Sequence, residues 1–366
     1  MNEQNERSEL RLSDFYNGKS VAGHVDRIKF LLMPFVFFAL LGVPISGIAG
    51  NYINTISSFS GLAFFVFCGF FVLAPDPEKR MRKLTRALKR SWLFFAILFV
   101  LYLAINIAYL AYIGNLKALT DPEFLRKRTF FEFFVLNVWP LPVGKSIWFI
   151  QSLAYAYLFL FLAEKLKLSK IYLPLLIVLW IFLLASGEFA GIVRISYFGY
   201  PYIPGGFLTK ALPFMLFGMF LRKYIDRLAR IPRFVYAITF FAGIVLSVGE
   251  LFLLSKLGKL VYSGNMIGYA VIAISVCCFA VTEPDIGNSF LGSHGGSYAR
   301  RMYAAAQPVS LLVWMFCNEF YPDGLQTVNQ FGSVICFVIC FAIAVLIGFF
   351  RFKIAVRNGD LNIEEK

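Results

Sequence analysis

The densest run of reactive side chains lies at residues 79–90, KRMRKLTRALKR, where Lys79, Arg80, Arg82, Lys83, Arg86, Lys89 and Arg90 put seven cations into twelve residues. It follows an uncharged apolar run, FFVFCGFFVL at 64–73, that is closed by Pro75-Asp76-Pro77. Read as a helix, Arg82, Arg86 and Arg90 recur every four residues and share a face, with Lys79 and Lys83 beside them. Such a face suits phosphates, either lipid headgroups at a membrane surface or the phosphates of a soluble ligand.

Elsewhere ionisable groups are sparse. Asp26, Arg27 and Lys29 open the first apolar stretch, Glu250 lies late in another, and Asn318 and Glu319 close a third. Within apolar stretches the polar side chains are the amides Asn106, Gln151 and Gln307, the last followed by Pro308, which removes a backbone hydrogen bond and kinks a helix. An amide is not a useful general base. The only histidines are His24 and His294, the latter in a glycine-rich segment, LGSHGGSY, that reads as a loop. No Ser-His-Asp or Cys-His set and no phosphate-binding glycine loop can be assembled from this inventory. The six cysteines, Cys68, Cys277, Cys278, Cys317, Cys336 and Cys340, sit in or at the ends of apolar runs as small hydrophobes, so neither disulfides nor a metal site is expected.

The elements that position these residues follow from composition. The 366 residues are 59% hydrophobic and 18% aromatic, with 43 Phe and only 15% charged, and the mean hydropathy is +0.71. No ordinary soluble domain has this balance. The expected class is all-α, a polytopic membrane protein. Windows of about 19 apolar residues predict ten spans, at 28–49, 56–74, 92–114, 147–163, 171–187, 208–221, 234–255, 265–281, 302–318 and 329–350. The chain then divides into a cytoplasmic tail at 1–27, one membrane domain at 28–350 and a cytoplasmic tail at 351–366, with no soluble domain attached. Of the 35 Lys and Arg, this arrangement places 26 on the side of the two tails and 9 on the other. That asymmetry predicts that both tails are cytoplasmic. It also accounts for the net charge of +14 without a nucleic-acid partner. The polar start is too long for a cleaved signal peptide, and the first span serves as its own insertion signal. The longest external loop, 115–146, carries Arg126-Lys127-Arg128 and then an aromatic segment suited to the interface.

Taken together, order and spacing of these pieces resemble the acyltransferase-3 family, membrane enzymes of about ten spans that move acyl groups from cytoplasmic acyl-CoA to cell-surface glycans. The stretch DRIKFL at 26–31 resembles the start of the family's first helix with its basic residue. FFVFCGFFVL and the cations after it resemble the family's FF-x-x-SG segment and arginine-rich loop, with Cys68 where serine is usual. SIWFIQSLAYAYLFLFLAEKL at 146–166 and LTKALPFMLFGMFLRK at 208–223, which holds a Phe-Gly pair, resemble two later spans. The resemblance implies acetyl or succinyl transfer, with Lys29, Arg86 and Arg90 at the donor phosphates, and with Trp148, Gln151 and Gln307 shaping the cavity and holding the acceptor or thioester. It implies no bound cofactor. The partners it implies are the lipid bilayer, acyl-CoA, a glycan acceptor and other membrane proteins of glycan assembly, at the plasma or inner membrane.

Two positions depart from that pattern. Eleven residues after Lys29, where the family places a histidine, stands Leu40, and where a second family histidine precedes proline stands Gln307. A general base is commonly worth about 10²–10⁴ in rate. The sequence therefore supports two readings: an acyltransferase modifying an envelope glycan, by O-acetylation for example, or a family member without catalysis that acts as partner or conduit in glycan assembly. An unrelated secondary transporter is the third class, but paired midplane charges and repeated broken helices are not visible.

Overall fold

The computed structural model describes residues 23–119, 132–134, 137, 139, 141, 144, 146–187, 189, 192, 206–260, 266–283 and 290–357. Among these the regular structure is helical, without strands. We label the helices α1 (Gly23–Leu31), α2 (Met33–Leu41), α3 (Gly47–Ile56), α4 (Phe59–Val72), α5 (Pro77–Tyr112), α6 (Ile147–Lys165), α7 (Tyr172–Ser186), α8 (Leu212–Lys223), α9 (Arg233–Lys256), α10 (Ile267–Val281), α11 (Phe290–Phe320) and α12 (Leu325–Arg357). Five helical stretches are long and apolar enough to cross a membrane, Gly47–Val72, Pro77–Tyr112, Ile147–Lys165, Arg233–Lys256 and Leu325–Arg351, and two shorter apolar ones accompany them. The chain is an all-helical, polytopic membrane protein. The segment holding Arg126, Lys127 and Arg128, and most of both tails, fall outside the described residues.

Helix α4 is the centre. It is apolar on every face, and residues from Phe59 to Val72 are buried all round it, which marks a helix enclosed by others rather than one facing lipid. It packs on α8 and α10, and its ends touch α2 and α5. The α4–α8 contact is a backbone contact. A Cβ at Gly69 would stand 1.9 Å from the Met215 carbonyl oxygen, and one at Gly218 would stand 2.0 Å from that of Val66. Only glycine at both positions lets the two helices come this close. Around that pair α9 packs on α10, α5 on α6, and α11 on both α1 and α12.

Helix ends follow local chemistry. Pro75 ends the α4 segment, and Asp76 caps α5, its carboxylate accepting from the Glu78 and Lys79 amides at 3.0 and 3.3 Å with Pro77 in the first turn. Helix α5 then runs unbroken for 36 residues, about 54 Å, so the basic run between two predicted spans is helical and continuous with the third, in a helix that outreaches a bilayer core. The first span, expected at 28–49, is interrupted at Leu32 ahead of Pro34 and stops at Leu41, where Gly42 takes φ +90°. The segment LGSHGGSY, expected as a loop, is helical and opens α11. Its glycines serve close packing, since a Cβ at Gly295 or Gly296 would stand 2.5 Å from the Asp26 carbonyl or carboxylate oxygen on α1.

Substituting Leu at Gly69 or Gly218 should drive α4 and α8 apart and lower stability by at least the ~1–3 kcal/mol of ordinary overpacking, because the clash is with backbone. Thermal unfolding in detergent checks this. Gly61→Ala, with open space at its Cβ, should leave the transition unchanged.

Candidate functional site

Where α4 and α8 end together, a cavity of about 460 Å³ opens between the residues that follow α4, the start of α5, the end of α6 and the start of α7. Leu73, Ala74, Pro75 and Arg80 line one wall, Glu164, Ser169 and Tyr172 another, and Leu216, Met219, Phe220, Arg222 and Lys223 the third. Three chain segments remote in sequence thus meet at one end of the bundle. The α4–α8 glycine contact sets their separation.

Cations dominate this end. Arg222 is buried, its guanidinium 5.5 Å from the centre of the Phe70 ring. Lys83 donates to the Phe71 carbonyl at 3.3 Å, and Arg80 donates to the Ala74 carbonyl at 3.2 Å. Carbonyls at a helix C-terminus attract positive charge, which draws these side chains around the end of α4. Positive charge thus accumulates at this end, with Lys83 and Arg222 both drawn to the end of α4. The carboxylate present, Glu164, is engaged on both oxygens, by Arg80 at 2.8 Å and by the Tyr172 hydroxyl at 2.9 Å. The cavity is therefore lined on two walls by cations, with Glu164 orienting Arg80 rather than standing ready as a base.

The residues singled out in the sequence separate into groups. Lys29 pairs with Asp26 at 2.9 Å and lies 5.2 Å from the centre of the Phe71 ring, on the same end of α4 as Lys83. Arg86 and Arg90 are exposed on α5 and are not among the cavity-lining residues. Trp148 packs at 6.3 Å on Phe65, with the Lys210 amine 5.3 Å from its ring centre. Gln151 is fully buried and donates to the Phe133 carbonyl at 2.8 Å. Gln307 accepts from the amide and the hydroxyl of Ser146, both at 3.2 Å. Tyr102 and Tyr303 join it there, the first 3.2 Å from the Ser146 hydroxyl and the second donating to the Ser146 carbonyl. Leu40 packs against the apolar cluster of α11 and α12 that includes Met302, Ala306, Cys336 and Cys340. Thus Leu40 and Gln307 serve packing and hydrogen bonding between helices.

His294 is exposed and stacks on Tyr298 at 5.9 Å. His24 is buried against Phe279, and that burial, with help from Arg27 and Arg233, lowers its affinity for a proton. Glu250 accepts from the Gly268 amide at 3.0 Å and so caps α10, while Glu319 accepts from the Tyr112 hydroxyl at 3.0 Å. All six cysteines are free, and among the described residues no group of His, Cys, Asp and Glu is arranged to hold a metal.

Sequence reasoning passed over Arg222, Lys223 and Glu164. A signal for them was present: they follow the sixth and close the fourth predicted span, on the same side as the basic run after the second. No protein-family model, curated protein or solved structure matches this chain.

Two outcomes test the site's electrostatics. Arg80→Ala strands the buried Glu164 carboxylate and should cost about 3–5 kcal/mol in unfolding free energy, whereas Arg82→Ala, which removes an exposed contact to Glu78, should cost under about 1 kcal/mol. His24 binds a proton less tightly folded than unfolded. Stability should therefore be flat above the unfolded value near 6.5 and fall as pH drops below it, and His24→Gln should remove that acid-side loss in melting curves.

Proposed function

We propose that this chain is an acyltransferase-3-like protein of ten spans, with both tails in the cytoplasm of a plasma or inner membrane, that binds acyl-CoA in the basic cavity and passes its acetyl or succinyl group to an envelope glycan. The observation that carries this reading is the cavity itself. Its three walls come from the ends of the second and sixth predicted spans and the segments after the second, fourth and sixth, and the excess of Lys and Arg supports a cytoplasmic side for all three. A phosphorylated cytoplasmic donor is what such a site would take, with Arg222 and Lys223 at the phosphates and Lys83 and Lys29 beside them. Contacts among the remaining helix ends agree with the same alternation: Tyr112 meets Glu319, and Glu250 meets the start of α10.

A second reading, that the fold binds donor or glycan without turning it over and serves as partner or conduit in glycan assembly or export, rests on Leu40 and Gln307. One is packed in an apolar cluster and the other is held by Ser146, so neither supplies the base that the family's histidines imply.

Equilibrium binding of labelled acetyl-CoA to the purified protein in detergent tests the donor site. Arg222→Gln with Lys223→Gln should weaken binding about tenfold or more, since hydrogen bonds to charged groups are worth about 1.5–3 kcal/mol. Arg86→Ala with Arg90→Ala should weaken it far less. Equal affinity in the wild type and the cavity double variant would remove the cavity from the account, and thiol release from the wild type separates the enzyme from the non-catalytic reading.

A further inference from the structure

We infer that the outer face of α5 binds anionic phospholipid of the leaflet beside the basic cavity, with Arg86, Lys89 and Arg90 holding headgroup phosphates and the apolar stripe that continues from them lying along the acyl chains. The inference stands apart from the acyl-transfer reading, since it uses cations that the cavity does not.

Burial separates the two faces of α5. Leu84, Ser91, Phe95, Leu98 and Tyr102 are buried and recur with helical period on the inner face. On the opposite face Arg82, Arg86, Lys89 and Arg90 are exposed, and the same stripe continues through Leu93, Ile97, Val100 and Leu101, which are 43% to 65% exposed. One stripe thus changes from charged to apolar between Arg90 and Leu93. Trp92 sits at the change, its ring 5.7 Å from that of Phe95 and 5.6 Å from that of Tyr155, and amphipathic rings gather at the membrane–water boundary. From Leu93 to the end of the helix at Tyr112 is about 30 Å at helical rise, the thickness of a hydrocarbon core.

Measured from that boundary, Arg90, Lys89 and Arg86 stand about 5, 6 and 10 Å beyond Leu93. The headgroup layer flanking the hydrocarbon is about 5–8 Å deep, and long cationic side chains reach into it. Charge complementarity then selects the occupant. Arg86 and Arg90 are four residues apart, which sets their Cβ atoms about 6 Å from each other, with Lys89 alongside. No carboxylate follows Glu78 in α5, and Glu78 itself reaches Arg82, at 3.8 Å with both side chains exposed. Among the described residues, Arg86, Lys89 and Arg90 have neither an ion pair nor a hydrogen bond through their side chains. Like charges at this spacing repel, and a phosphate set among them replaces repulsion with charge-assisted hydrogen bonds. The apolar stripe identifies the phosphate's carrier. A soluble anion would use the cations alone, whereas a phospholipid uses the cations and the exposed side chains directly below them. Arg80, on the inner side of the same turns, lines the basic cavity, so the lipid holds the helix that walls it.

The test is a lipid titration of the full chain in detergent, read by native mass spectrometry, with dioleoyl phosphatidylglycerol, dioleoyl phosphatidylcholine and glycerol 3-phosphate as probes. The wild type should prefer phosphatidylglycerol at least about tenfold, since each cation near such headgroups contributes about fivefold. Arg86→Gln alone should lower that preference about fivefold. Adding Lys89→Gln and Arg90→Gln should abolish it while phosphatidylcholine binding stays unchanged, which shows that the variant folds. Lys165→Gln with Lys167→Gln and Lys170→Gln removes the same charge from exposed positions at the end of α6 and after it, and should keep the preference. Absence of a preference in the wild type, its survival in the α5 variants, or an equal fall in both triple variants would overturn the inference. Displacement of the lipid by glycerol 3-phosphate at equal concentration would also overturn it, making the face a site for soluble phosphate.

Discussion

The backbone contact between α4 and α8 at Gly69 and Gly218 is the constraint on which the rest of the molecule depends. With carbonyl oxygens of each helix standing where a Cβ on the other would go, the two helices have one register and one separation. In a bilayer, where lipid chains are as apolar as leucine, such close packing replaces the hydrophobic drive that holds soluble helices together. Their ends are then held side by side, and the cations that gather around the α4 terminus, Lys29, Lys83 and Arg222, are brought onto the Phe70–Phe71 pair from three different helices.

Polar groups inside the bundle are spent on tying helices together. Ser146 binds Gln307, Tyr102 and Tyr303, joining the start of α6 to α5 and α11. Glu164 joins α6 to α5 and α7 through Arg80 and Tyr172. Groups so engaged are poor candidates for proton transfer.

Much of this was legible in the sequence, but only where local rules decide. The apolar runs and the Lys/Arg asymmetry announced a helical membrane protein, and Pro75-Asp76-Pro77 announced a helix end and a cap. The FCG and FG segments hold the two glycines that meet, a pairing that no local rule announces. What sequence reasoning missed depends on partners. LGSHGGSY reads as a loop because its glycines have poor intrinsic helix propensity, yet they form a helix because α1 lies against them. The basic run reads as a helix with Arg82, Arg86 and Arg90 on a phosphate-facing side, yet within a continuous α5 Arg86 and Arg90 are exposed and it is Arg80 that lines the cavity. Arg222 and Lys223 read as ordinary span-end charges until α8 is laid against α4.

The central claim is that three segments meet on the cytoplasmic face to form one donor-binding cavity. A single cysteine introduced as Lys223→Cys, reacted with a membrane-impermeant maleimide in vesicles of both orientations and compared with the unsubstituted protein, tests it most directly. The account expects labelling in inside-out vesicles only, with acetyl-CoA slowing it; labelling from the opposite face, or a rate that acetyl-CoA leaves unchanged, would contradict it.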